Sequence, residues 1–293
     1  MRESNPFPRE ETLTIIETRP SRARIPDTVR AVCIRPDPND WKAKPRLDGI
    51  DAVMARLPPD TVELVDIDYD CRLPRLPCLT RQRRVRYLNL GAHKLRDYTP
   101  LFTLTCLEHV FLVSAPLTSL SAFQNRPLKS VRLIRGHVAH VDVSAPFFFL
   151  QNCTQLTAFA DISIANLILQ SCRRVHLASL ASVGGLRQLR LLAPGPLPSV
   201  TALLGCKSLE SLVITATALG KTDLHVLGAM ASLKWMFLGV GDPRVAELAR
   251  IMPRVMVTNG NVCFHSNKQL PPQQYYREVE AADYPSWASE QRP

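Results

Sequence analysis

Three groups of residues in this sequence have types and spacings that could do chemistry. Cys263 and His265 stand two residues apart, the smallest pairing of a thiol nucleophile with a base. Asp66, Asp68 and Asp70 alternate, so that on a strand Asp66 and Asp68 would share a face and could hold a cation. Arg81, Arg83, Arg84 and Arg86 crowd beside Tyr87, a combination suited to phosphate contact with base stacking. Each group also has a plainer reading. Cys-x-His is one chance pairing in a chain with 8 cysteines, the aspartates lack a second oxygen-rich loop, and arginines on a loop are ordinarily solvated. No G-x-G-x-x-G follows a strand, and G-x-x-x-x-G-K-[ST], H-E-x-x-H and C-x-x-C do not occur. The expectation is a non-enzyme with no metal, no cofactor and no evident small-molecule substrate.

What would position side chains along this chain is a repeat. Val85-Arg-Tyr-Leu88-Asn-Leu90, with Leu95 five residues on, returns 22 residues later as Leu107-Glu-His-Val110-Phe-Leu112, with Leu117 five on. Self-similarity at that period marks a solenoid. The pattern resembles the leucine-rich repeat family. That resemblance implies an α/β fold, a right-handed leucine-rich repeat solenoid with a curved parallel β-sheet on its concave face and short helical, 3₁₀ or turn returns. Irregular, arginine-heavy repeats without disulfide caps look most like bacterial members of that family.

Units begin near Val62, Val85, Leu107 and Leu128, and again near Leu186, Leu209, Leu233 and Val255, in steps of 21 to 24 residues. Between Leu128 and Leu186 two registers compete. One starts units at Leu156 and Val175; the other uses Val138, Val141 and Val143, then Ile164, Leu167 and Leu169. Pro146-Phe-Phe-Phe-Leu150 reads as a core plug or a partly exposed patch. The whole predicts about eight or nine coils. A three-residue spacing precedes many units: Leu101/Leu104/Leu107, Leu150/Cys153/Leu156, Leu169/Cys172/Val175, Leu203/Cys206/Leu209 and Leu227/Met230/Leu233. It suits a 3₁₀ or short helical return, with the cysteines as small buried hydrophobes.

Residues 1–61 read as an N-terminal arm and α/β cap, with strands at Leu13–Ile16 and Thr28–Ile34 and a helix over Leu47–Leu57 that stops before Pro58-Pro59. Residues 62–260 are the solenoid. Residues 261–293 are a tail expected to cover the last coil with aromatics from Leu270–Tyr276 and Tyr284–Trp287.

The formal charge of +10 lies wholly on residues 62–260, which hold 22 basic and 12 acidic side chains. Such an excess suits an acidic protein partner, or nucleic acid as the alternative. No apolar run reaches 18 residues and no secretory leader is visible, so neither a membrane span nor export is expected. Sparse cysteines point to the cytoplasm.

In a strand, side chains alternate between core and open face. The open-face positions then include Tyr87, His109, Phe111, Arg132, Arg190, Trp235 and Phe237: aromatics at the two ends, with arginines between. Tyr, Trp and Arg dominate interface energies because each combines large area with a polar handle. On the family resemblance this is the concave partner-binding face. The expected function is therefore non-catalytic protein binding, as in a bacterial effector or toxin-neutralising protein.

Overall fold

The computed structural model describes residues 7–16, 19–20, 25–26, 28–39, 44–91, 94–193, 200–215, 221–239, 242–259, 261–265 and 268–270. The chain opens with two strands, β1 (Thr12–Ile16) and β2 (Ala31–Arg35), and then helix α1 (Leu47–Arg56). α1 buries Ile50, Val53 and Met54 and ends where the Leu57 N–H reaches the Met54 carbonyl, just before Pro58-Pro59. Strand β3 (Leu64–Ile67) returns alongside β2, completing a parallel β-α-β unit.

One strand per coil follows: β4 (Tyr87–Leu90), β5 (His109–Val113) and β6 (Ser130–Ile134). After the two-residue β7 (His140–Val141) come β8 (Phe147–Gln151), a short β9 (Ala158–Phe159) and β10 (Asn166–Gln170). The series closes with β11 (Gln188–Leu192), β12 (Ser211–Ile214), helix α2 (Lys221–Gly228), β13 (Trp235–Leu238), helix α3 (Val245–Ile251) and β14 (Met256–Thr258). These strands form one sheet in the order β1-β2-β3-β4-β5-β6-β8-β10-β11-β12-β13-β14, parallel throughout. Two antiparallel strands, β15 (Cys263–His265) and β16 (Lys268–Leu270), finish its edge. The first strands thus continue the solenoid sheet directly.

Two inward positions per strand build the core. One column runs Val65, Leu88, Val110, Val131, Phe148, Leu167, Leu189, Leu212, Met236; the other runs Ile67, Leu90, Leu112, Leu133, Leu150, Leu169, Leu191, Ile214, Leu238. All are buried in one continuous apolar cluster. Burial on this scale, at about 25 cal/mol per Å² of apolar surface, is what holds coil to coil.

The middle corrects the expected register. The strand after β6 is β8, with Phe148 and Leu150 inward, and β10 follows with Leu167 and Leu169 inward. Leu156 and Val175 do not begin strands of the main sheet, and Val141 lies in β7, which pairs with β9 in a separate two-stranded sheet. The run at Pro146–Leu150 forms strand β8, Phe147–Gln151, which puts Phe148 and Leu150 in the core and leaves Phe149 half-buried on the other face. Among the described residues of 62–260, ten strands from β3 to β14 belong to the main sheet, against the eight or nine coils expected. From Val131 to Phe148 is 17 residues and from Phe148 to Leu167 is 19, shorter than other steps in the repeat region. Extended residues rise ~3.3 Å each against ~2.0 Å in a 3₁₀ turn, so a coil that returns through β7 or β9 closes with fewer residues.

Longer coils return through 3₁₀ turns at Thr99–Thr103, Ser121–Phe123, Leu177–Ser182 and Thr201–Gly205, or through α2 and α3. Of the three-residue spacings, those at Leu101 and Leu203 fall in 3₁₀ turns and that at Leu227 in α2. Those at Leu150 and Leu169 are different: each leucine is the next-to-last residue of a strand, and the cysteine follows the bend after it. The last unit also slips by one residue, since Val257 rather than Thr258 takes the inward slot of β14.

The bends out of β5, β6, β8, β10 and β11 each pass through a left-handed residue. Ser114, Arg135, Asn152, Ser171 and Ala193 have φ of 52°, 55°, 53°, 55° and 45°. The N–H groups of the first four reach the next coil's carbonyls on Ile134, Gln151, Gln170 and Leu192 at 2.7–2.8 Å, carrying the sheet's hydrogen bonding past the strand end. Three thiols tie the same region. Cys71, Cys153 and Cys172 donate to the carbonyls of Ile34, Leu133 and Leu150 at 3.4, 3.7 and 3.3 Å, equivalent positions on the preceding coil's strand.

Candidate binding face

The returns lie behind the core, so the sheet's other face is formed by strand side chains among the described residues. Its central row reads Asp66, Asn89, Phe111, Arg132, Phe149, Ile168, Arg190, Val213, Phe237 from β3 to β13. The row beside it reads Leu64, Tyr87, His109, Ser130, Phe147, Asn166, Gln188, Ser211, Trp235 on the same strands. All seven residues singled out from the sequence, Tyr87, His109, Phe111, Arg132, Arg190, Trp235 and Phe237, fall in these two rows. The aromatics are not confined to the ends, because Phe147 and Phe149 lie between Arg132 and Arg190. They are shielded unevenly: Phe111 and Phe147 are buried, whereas Phe149, Trp235 and Phe237 are half-buried.

At one end the side chains bond to each other. The Tyr87 and His109 rings stack at 4.8 Å with 5° between planes, and the Arg86 guanidinium sits 5.9 Å from the Tyr87 centroid. His109 Nδ1 and Ser130 Oγ are 2.9 Å apart. Burial pushes the imidazole pKa down to about 4 despite the attraction of Glu108, so His109 is neutral at physiological pH. Toward the other end, Trp235 and Phe237 stack with centroids 6.4 Å apart.

A third row was not apparent from the sequence. Immediately before the strands stand Glu11, Arg30, Glu63, Arg86, Glu108, Lys129, Pro146, Ala165, Arg187, Glu210 and Lys234. Their charges alternate strictly over six coils, lapse for two, and resume. Arg30 bonds Glu63 at 2.9 Å and Glu11 at 3.3 Å. Arg86 holds Glu108 with two hydrogen bonds, at 3.0 and 2.8 Å, and Lys129 reaches the same carboxylate at 2.7 Å. Lys234 pairs with Glu210 at 3.2 Å. Hydrogen bonding from Arg86, reinforced by Lys129, draws the Glu108 pKa down to about 2. The signal was present at spacings of 22 and 21 residues, Arg86 to Glu108 to Lys129, and becomes legible once the coils are stacked.

The other groups resolve into structural roles. Arg35 bonds Asp66 and lies 4.0 Å from Asp68, so a guanidinium serves the aspartates where a cation was considered. No cluster of three or more metal-ligating side chains occurs among the described residues. In the arginine group, Arg83 pairs with Asp60 at 3.0 Å, Arg81 donates to the Ala55 carbonyl at the end of α1, and Arg86 belongs to the charge row. Cys263 is buried and His265 exposed on β15, two environments that do not make one reactive centre. None of the 8 cysteines forms a disulfide. Tyr69 and Phe102, the large apolar side chains most open to water, lie singly and off the two face rows.

The molecule is an α/β solenoid, defined by one parallel strand per coil, two inward apolar positions on each and an open strand face. Among solved structures it is similar to an internalin (InlF) from Listeria monocytogenes, with 14% identity over 78% of this chain and 80% of that one and a TM-score of 0.34. It is also similar to the functional domain of InlJ from Listeria monocytogenes, which includes a cysteine ladder, with 12% identity over 72% of this chain and a TM-score of 0.38; the match spans 46% of that chain. The coil architecture rests on this chain's own strands, not on these likenesses. No protein-family model matches the sequence, and comparison with curated proteins gives no match.

Proposed function

We propose that this protein is a non-catalytic binding module that takes a protein partner on the open face of its sheet. One observation carries the reading: an apolar and aromatic row crosses the face from Phe111 through Phe149 and Ile168 to Phe237, with arginines set into it. Phe111, Ile168 and Val213 are buried in this row, while Phe149 and Phe237 stay half-buried beside the arginines, and aromatic anchors with arginines are the residue types that supply binding energy. A preformed solenoid orders little on binding, which lowers the entropic cost. Tyr87, His109, Phe111, Arg132, Arg190, Trp235 and Phe237 are the proposed contact set, and Phe149 joins them. An effector or a toxin-neutralising protein would use the same face in the same way. Eight cysteines, none of them in a disulfide and most of them buried, support a reducing compartment such as the cytoplasm. No helix among the described residues is long and apolar enough to cross a membrane.

The test is capture from nuclease-treated lysate by the full chain and by Trp235→Ala/Phe237→Ala, with photo-crosslinking from position 149. The expected result is one protein that crosslinks at 149 and is lost by the double variant. Material that disappears with nuclease would transfer the reading to nucleic acid, and a protein retained by the variant and silent at 149 would move the site off this face.

A further inference from the structure

The charge row lapses at one place. Pro146 and Ala165 precede β8 and β10, so two neighbouring coils carry no charge in a position that alternates on either side of them. Lys129 on the β6 side and Arg187 on the β11 side flank the lapse, and both are exposed. In the central face row the same two strands carry Arg132 and Arg190. The four cations therefore stand at the corners of a window two strands wide. Between them lie Phe147 and Asn166 in one row and Phe149 and Ile168 in the row of the two arginines; Phe147 and Ile168 are buried, Phe149 and Asn166 half-buried, and the Arg132 guanidinium is 5.7 Å from the Phe147 ring centroid.

The dimensions follow from sheet geometry. Three interstrand steps from β6 to β11 give a width of about 14 Å, and three residues along a strand give a height of about 10 Å. An extended peptide rises ~3.4 Å per residue, so two carboxylates about four residues apart would reach opposite sides of the frame. The side chains between them would then rest on the apolar centre.

We infer that the window framed by Lys129, Arg132, Arg187 and Arg190 receives an extended segment of a partner protein in which acidic residues bracket an apolar or aromatic one. This rests on the reading of the sheet face as the binding surface and names the chemistry recognised there. A nucleic-acid strand fits less well. Phosphate tracking uses a continuous cationic groove, whereas the cations of this row alternate with Glu63, Glu108 and Glu210, and Lys129 at the window's corner itself lies 2.7 Å from Glu108. A peptide with charge at its ends and apolar bulk at its centre matches a cationic frame around an apolar floor.

The test measures fluorescence anisotropy of the full chain with three labelled probes at fixed salt: a random Glu/Tyr copolymer, poly-Glu, and oligo(dT) of similar charge. The copolymer is expected to bind at least about tenfold tighter than either other probe. Lys129→Ala/Arg187→Ala should weaken it by about tenfold or more, and Phe149→Ala should erase the advantage over poly-Glu. Oligo(dT) binding as tightly as the copolymer overturns the inference, as does a Lys129/Arg187 variant within twofold of the parent. Trp235→Ala/Phe237→Ala separates the two levels. If that variant alone abolishes binding, the face binds protein but not through this window; if neither variant matters, the face reading fails as well. A carbodiimide crosslink from Lys129 to a carboxylate within residues 271–293 of the same chain would assign the window to that segment and overturn a partner as its occupant.

Discussion

Replacing Glu108 with glutamine should loosen three coils at once, because this carboxylate is shared by Arg86 on one neighbour and Lys129 on the other. The Glu108 side chain is 16% exposed, while Arg86 and Lys129 are 41% and 59% exposed. Breaking a fully buried pair costs ~3–5 kcal/mol, and an exposed pair is worth ~0.2–1. With a shielded anion and two cations open to water, the Arg86–Glu108 coupling should be about 1 kcal/mol and the whole loss in Glu108→Gln about 2 kcal/mol. Acid dependence follows from the depressed pKa. Glu108 titrates at about 2 in the folded chain against 4.5 ordinarily, so its stabilising effect is complete above pH 4.5 and is lost as the pH falls through 2. A double-mutant cycle with Arg86→Met and Glu108→Gln, followed by urea unfolding at pH 7, 5 and 2.5, measures the coupling and its decay. A coupling below about 0.3 kcal/mol at pH 7, or one unchanged at pH 2.5, would refute the charge row as a stabilising device.

Gly91→Ala should destabilise the chain by about 2–3 kcal/mol, since its Cβ would stand 2.3 Å from the Tyr69 backbone nitrogen and 2.4 Å from its Cα; an unchanged urea midpoint would contradict this close approach of coils. Native protein should yield two fast-reacting thiols with a disulfide reagent, the exposed Cys78 and Cys106, and all 8 after denaturation. Rapid labelling of Cys33 would contradict this, because burial and Asp66 hold its pKa up at about 11. His109 should titrate by NMR near pH 4 with no inflection near 6.5, and its loss of stability on acidification should begin as pH falls below 6.5 and continue to about 4. A midpoint at or above 6 would place the ring in water.

Much of the fold was legible because apolar residues recur at fixed offsets. From Val62 to Leu128 and from Leu186 to Leu233 the triplets alone placed the strands, and Pro58-Pro59 marked the end of α1. The middle failed for two physical reasons. Its coils are 17 and 19 residues long, below the usual ~20–29, and Ala145 occupies a position that is Val or Leu in the well-read units. Phenylalanine at 147, 148 and 149 also fills both faces of β8, which erases the alternation that identifies a half-buried strand. The proposed site was legible in its ends and not in its centre for the same reason. The centre depends on strands whose register the sequence left open, and the charge row on neighbours about a coil apart.

The alternating row has a consequence for how such a chain can grow. Between Glu11 and Lys129 every coil has a sign opposite to its neighbours, so inserting or losing one coil would set like charges side by side and open a fault in the row. Two adjacent coils can be gained or lost together and leave the alternation intact. Repeat number in this part of the molecule is thus governed by parity. The neutral pair at Pro146 and Ala165 escapes the rule, and there a single coil can be gained or lost without a clash of sign.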